Sequence, residues 1–106
     1  MSHNHDEHEP TEAELWDEYP SLSGFERIRC LMALAAFRRS DSDLANAWTL
    51  CEQAQEFAIS EDYPRELGEI LTDMGVLRAD QQDWEGALEL YERADVLLIE
   101  HGSDDQ

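Results

Sequence analysis

An all-α fold is what this sequence predicts, and three observations predict it. Apolar residues recur at helical spacing along most of the chain, breaks rich in Ser, Asp and Pro separate the stripes, and no segment sustains period-two alternation. The 106 residues, 42% hydrophobic, suffice for one small domain and not for two independent cores.

Taken in order, residues 1–10 hold three His, several acids and Pro10, with Met1 as the one large apolar group, so ordering them gains too little burial to offset chain entropy. They read as a disordered tail. At Thr11 the pattern changes, because "TEAE" has the Thr-x-x-Glu form of a capping box and Leu15, Trp16 and Tyr19 follow before Pro20 interrupts. A short helix near 12–19 is expected. Ser23 with Glu26 forms a second such box, opening a helix near 24–39 through Phe25, Ile28, Leu31, Ala35 and Phe37. "SDSD" ends it and caps the next, whose stripe of Leu44, Ala47, Trp48, Cys51, Ala54 and Ala58 runs to about Ser60. After "SEDYP", Pro64 suits a first helical turn, and Leu67, Ile70, Leu71, Met74 and Leu77 mark one face. "DQQD" at 80–83 punctuates again before a last helix that ends near His101 and Gly102, with 103–106 as a disordered end.

Charge narrows the functions. The chain has 26 Asp and Glu against seven Arg and no Lys, a formal net charge of −19. Nucleic-acid binding is disfavoured, since it needs a cationic face to displace counterions. Three readings of the acid excess stay open: a solubilising surface, a halophilic-like composition suited to high salt, and polyanion mimicry toward a basic partner. No run of about eighteen apolar residues and no secretory pattern appears, so no membrane role and a cytoplasmic location are expected. Cys30 and Cys51 lie in apolar helical patterns and read as small buried thiols.

The chain also repeats itself. Residues 31–54 align without a gap on 71–94 at an offset of 40, with seven of 24 pairs identical, among them Leu31 with Leu71, Arg38 with Arg78, Asp43 with Asp83 and Ala47 with Ala87. A helix-turn-helix therefore occurs twice, with hairpins expected near 24–60 and 64–101. Within the second, Leu71, Met74-Gly75, Ala87, Tyr91 and Ala94 stand in the order and spacing of a tetratricopeptide repeat, and the segment 71–99 resembles that family. Gly75 and Ala87 are small where two helices must approach, and Leu71 and Tyr91 are large where gaps must be filled. Arg78 stands where the family often has Tyr, Ile99 where it often has Pro, and the first unit has Ala35 for Gly and Cys51 for the aromatic. An offset of 40, against the family's usual spacing of about 34, places about six extra residues between hairpins, in 55–66.

The resemblance implies a scaffold that binds another protein or peptide along a groove formed by the first helix of each hairpin. The groove positions it implies are Arg29, Met32, Ala36 and Arg39 from the first unit and Glu69, Thr72, Val76 and Ala79 from the second. The Lys and Asn that clamp chaperone tails in some members are missing there, so such tails are not the expected ligand. Repeat units need caps or neighbours. Helix 12–19 caps the first hairpin, whereas nothing follows the last helix to cover Val96, Leu97, Leu98 and Ile99, which predicts a homodimer or a docked partner at that edge.

Other candidates are weaker. His3, His5 and His8 among acids have donors for Ni, Cu or Zn, but a flexible tail has no outer shell to fix them, so no cofactor is expected. Arg27, Arg29, Arg38 and Arg39, against Glu26 alone, give the helix at 24–39 a positive charge that either seats an acidic peptide or neutralises the chain's own acidic ends. Trp16, Trp48 and Trp84 sit on apolar stripes and read as core or capping residues. No catalytic constellation or phosphate loop is apparent, and His101 lies at a helix end, so no enzyme is expected. The function these residues support is an adaptor or co-chaperone, with an acidic polyanion-mimicking inhibitor or a metal-handling protein as alternatives.

Overall fold

Helix starts recur every 20 residues in this chain. The computed structural model describes residues 9–102, and its four long helices are α2 (Gly24–Ser40), α3 (Leu44–Ser60), α4 (Pro64–Asp80) and α5 (Trp84–His101). A short helix α1 (Glu12–Glu18) precedes them, running into a single 3₁₀ turn at Tyr19–Ser21 around Pro20. No strand occurs among the described residues, so the fold is all-α.

The three long turns share one backbone solution. Ser42, Asp62 and Gln82 each adopt left-handed φ values of 61°, 64° and 64°. The following amides of Asp43, Tyr63 and Asp83 then donate back to the carbonyls of Arg38, Ala58 and Arg78 at 2.8, 2.8 and 2.9 Å. This six-residue closure satisfies carbonyls that the helix end would leave orphaned, which is why non-glycine residues accept an otherwise costly conformation there. Asp43 and Asp83 at once cap the next helix, accepting from the amides of Asn46 and Gly86 at 3.3 and 3.0 Å. Because every turn takes three residues, the expected insertion in 55–66 does not exist. Residues 55–60 complete α3, and the additional length of the repeat is helix.

Helix starts divide into two kinds. Thr11 forms the full capping box expected of "TEAE", its hydroxyl accepting from Glu14 N–H at 3.2 Å while its own N–H donates to the Glu14 carboxylate at 2.9 Å. The second expected box fails. Ser23 makes no side-chain cap bond, since the chain turns into α2 through Gly24 at a left-handed φ of 57°. The Arg27 guanidinium holds this junction instead, donating from Nε and Nη2 to the Leu22 carbonyl at 3.2 and 3.1 Å.

Packing follows the repeat. α2 lies on α3 and α4 on α5, α4 also lies along α3, and α2 meets α4 only lightly. One continuous core results, with Ile28, Leu31, Leu34, Cys51, Ile70 and Leu71 almost wholly removed from water. α1 covers the outer side of α2: Leu15 is buried in the core cluster, its carbonyl accepts from the Cys30 thiol at 3.5 Å, and Glu12 pairs with Arg38 at 2.6 Å. Both cysteines are free and buried, and burial pushes the Cys51 thiol up to about 12, where it is inert at neutral pH.

Close approach between α4 and α5 depends on two glycines. A Cβ at Gly75 would come within 2.6 Å of the Tyr91 ring, and one at Gly68 within 2.9 Å of the Leu98 side chain. The small-against-large reading of Gly75 and Tyr91 is therefore met by contact, and Gly68 with Leu98 adds a second such pair two helical turns away.

Candidate partner-binding surfaces

Two surfaces were expected, a groove between α2 and α4 and an edge on α5. The groove exists as a shallow cleft with a cavity of about 190 Å³, lined by Ala35, Ala36, Cys51, Val76 and Leu77, with Asp73 and Arg39 as its charged members. Of the residues expected there, Ala36 and Val76 do line it. Arg29, Arg39 and Glu69 are occupied within the chain: Arg29 reaches Glu69 at 2.8 Å, and Arg39 grips both oxygens of Asp80 at 2.6 and 3.3 Å. These pairs tie α2 to α4. Met32 is half-buried and packs on the core, and Thr72 spends its hydroxyl on the Gly68 carbonyl one turn back, at 3.0 Å. Neither is among the residues that line the cleft. Ala79 is half-buried.

The arginine cluster resolves in the same direction. Arg38 pairs with Glu12, Asp41 and Asp43 at 2.6, 2.8 and 3.4 Å, and Arg27 lies 4.7 Å over the Phe57 ring. With Arg29 and Arg39 joined to α4, all four cations of α2 are engaged inside the molecule, so neutralisation outweighs a vacant seat for an acidic peptide. The acids they neutralise belong to α1, α4 and the first turn. Hydrogen bonding from Asn46 and then Arg38 lowers the Asp43 carboxyl, and Arg39 lowers that of Asp80.

Sequence reasoning did not single out Asp73. Its carboxyl borders the cleft among apolar neighbours, and burial pushes it above the ordinary carboxylate range, with Glu69 adding to the shift and Arg39 and Arg29 opposing it. One signal was present in the repeat: Asp73 stands where the first unit has Ala33, an acid added to a helix face that its twin keeps apolar.

The edge on α5 is real but differently composed. Val96 and Ile99 are exposed, at 56% and 79%, whereas Leu97 is half-buried against the core and Leu98 packs beside Gly68. Leu97 is thus corrected from edge to core, since consecutive residues point about 100° apart and α4 covers only one side of α5. Trp84, expected in a core or capping role, is 66% exposed at the first position of α5, and Leu88 is 58% exposed one turn further on. Trp16 on α1 is 45% exposed and packs edge-on against Tyr19, and Trp48 is the most covered of the three, with the Arg78 guanidinium 4.0 Å from the centre of its ring. That stacking joins α4 to α3.

His3, His5 and His8 lie outside the described residues, and among the described residues no group of three or more His, Cys, Asp or Glu is placed to hold a metal ion. His101 has a carboxylate neighbour in Glu100 at 3.7 Å. No helix of the described residues is long and apolar enough to cross a membrane. Searches of protein-family models, curated proteins and solved structures return no match to this chain.

Proposed function

We propose that this protein is an interaction adaptor or co-chaperone of tetratricopeptide-like build, which binds another protein by the cleft between α2 and α4 and by the open side of α5. The observation that carries this reading is the run of large apolar side chains left in water on α5: Trp84, Leu88, Val96 and Ile99 are each more than half exposed, in an element that otherwise packs well. Solvent-exposed apolar residues grouped on one helix mark surfaces that are covered in use. The cleft supports it secondarily, because Ala36 and Val76 leave room for a side chain beside the Asp73 carboxylate.

Photo-crosslinking tests the reading. A benzophenone side chain at position 36 or 88, in cells of the source organism, is expected to capture the same protein repeatedly, and the same group at Glu52, exposed on the outer side of α3, to capture nothing in common with it. Equal, unselective labelling at all three positions rejects an adaptor.

Net charge favours one other reading, in which the whole acidic surface occupies a basic partner as a polyanion. Salt separates the two: polyanion binding weakens sharply between low and moderate ionic strength, while contact through Trp84 and Leu88 changes little in its apolar part.

A further inference from the structure

The repeat makes α3 an internal reference for α5. At the offset of 40, Leu44, Trp48 and Cys51 of α3 correspond to Trp84, Leu88 and Tyr91 of α5. The α3 stripe is covered by the helix that follows it: Arg78 of α4 lies over Trp48 at 4.0 Å, and Leu77 and Asp73 of α4 border Cys51, which is only 1% exposed. The α5 stripe has the same spacing, but Trp84 and Leu88 are 66% and 58% exposed with no described element over them, and Tyr91, which touches Gly75 of α4 with one side of its ring, leaves its other side open. Ile59 and Ile99 are exposed alike, so the difference is confined to the three forward positions.

Charge around the stripe has changed as well. Ala45 and Thr49 of α3 become Glu85 and Glu89 along one flank of the α5 stripe, Glu92 repeats Glu52 there, and Gln55 becomes Asp95, in line with Trp84, Leu88 and Tyr91 at its far end. The open stripe thus has an acidic margin where the covered one is largely neutral.

We propose that the Trp84–Leu88–Tyr91 face of α5 docks an amphipathic basic helix of a partner protein, seated as α4 is seated on α3. This rests on the adaptor reading and specifies its partner. The helix would present apolar residues at i, i+3, i+4 and i+7 to the stripe and Arg or Lys to Glu85, Glu89 and Asp95. A second copy of this chain fits poorly in either arrangement. Pairing α5 with α5 brings the two acidic margins together in molecules of −19 each. Stacking α2 of another copy there is blocked, because α1 already occupies the outer side of α2 through Leu15 and the Glu12–Arg38 pair.

The test uses the full chain and two synthetic peptides built on the 17-residue α4 sequence with both glycines replaced by alanine. In one peptide the four acids, Glu66, Glu69, Asp73 and Asp80, are lysine; in the other they are kept and Arg65 and Arg78 are glutamate. Fluorescence anisotropy is expected to show binding of the basic peptide only. Leu88→Ser should weaken it about tenfold, the loss of one central apolar anchor. Glu85→Gln with Glu89→Gln should flatten its salt dependence. Leu88 is solvent-exposed, so the variant keeps its fold, as far-UV circular dichroism would verify. Equal binding of both peptides, indifference to Leu88→Ser, or no binding of the basic peptide at about millimolar concentration overturns the proposal. So does a dimer by light scattering that Leu88→Ser dissociates, which would make a second copy the occupant. Crosslinking from position 36 reads the cleft independently, so an adaptor without a docked helix remains distinguishable from no adaptor at all.

Discussion

The two hairpins, 24–60 and 64–101, share a backbone plan and reach it with different distributions of bulk. In the first, Ile28 on the leading helix and Ala58 on the following one are both buried; at the equivalent positions the second has Gly68 and Leu98, now large on the following helix. Ala35 and Cys51 become Gly75 and Tyr91, where the following helix, already the larger side, gains further. In the first of these pairs the bulk moves from the leading helix to the following one, and in the second the following helix gains it, so α4 is the small side at both contacts with α5. Glycine at 68 and 75 leaves α4 without side chains where Leu98 and Tyr91 of α5 press on it, and among the described residues no helix lies on the outer side of this second hairpin.

Restoring one residue of the first hairpin in the second should break the arrangement most severely. Gly68→Ile places its Cβ within 2.9 Å of Leu98 and is expected to cost about 3 kcal/mol by overpacking. Adding Leu98→Ala recreates the Ile28–Ala58 combination and should recover most of that loss, giving a strong coupling in a double-mutant cycle followed by urea unfolding. Additive costs would mean the two residues do not share one space.

A smaller effect separates the covered stripe from the open one. Trp48→Ser removes a partly buried ring from beneath Arg78 and should destabilise by about 2 kcal/mol, whereas Leu88→Ser should stay within about 0.5 kcal/mol in the isolated protein. Thermal melts of the two variants compare them directly, and a large loss from Leu88→Ser would show that α5 is covered from within the chain.

Helix caps offer a test in which the hairpins should agree. Asp43→Ala and Asp83→Ala each remove an acceptor from a first-turn amide and should each cost about 1 kcal/mol. Asp43 also accepts from the Asn46 side chain at 2.8 Å and from Arg38, so its variant should be the worse of the two by a few tenths of a kcal/mol. The Asp43 carboxyl is held below its ordinary range, so this stabilisation is complete above the unfolded Asp value and disappears as pH falls through the lower folded one.

The smallest effect has the opposite sign. Burial raises the Asp73 carboxyl, so its ionised form opposes folding at neutral pH and the folded state gains stability as pH falls toward the ordinary Asp range. Asp73→Asn should raise the urea midpoint at pH 7 slightly, with the difference closing at pH values below that of an unfolded Asp. An unchanged midpoint at pH 7 would mean that Arg39 and Arg29 offset the desolvation fully.

Much of the fold was legible in order along the chain. "SDSD", "SEDYP" and "DQQD" mark the turns, and the apolar stripes between them give helices whose observed limits differ from expectation by a residue or two, because both signals act within a few residues of where they are read. The Ser23 box misled because its pattern carries no information on the φ of Gly24. The expected insertion at 55–66 came from measuring this repeat against the tetratricopeptide length, whereas the repeat here is taken up by two helices of 17 residues or more, joined by three-residue turns. Of the site, Ala36, Val76, Val96 and Ile99 were visible as surface positions, while the occupation of Arg29 and Arg39 was not, since their partners Glu69 and Asp80 lie 40 and 41 residues away.

By itself, then, the sequence determined the helices, their period and the small and large residues that recur in each hairpin, because helix formation is settled by spacing and capping within one or two turns. Tertiary structure alone decided which face of each helix is covered. Leu97 and Ile99 have similar hydropathy and sit two residues apart, yet one joins the core and the other meets water. Cys51 and Tyr91 occupy the same place in the repeat, yet Cys51 lies between α2 and α4 and is buried, while Tyr91 meets α4 on one side and water on the other. Burial depends on what arrives from elsewhere in the chain, a property no local pattern encodes.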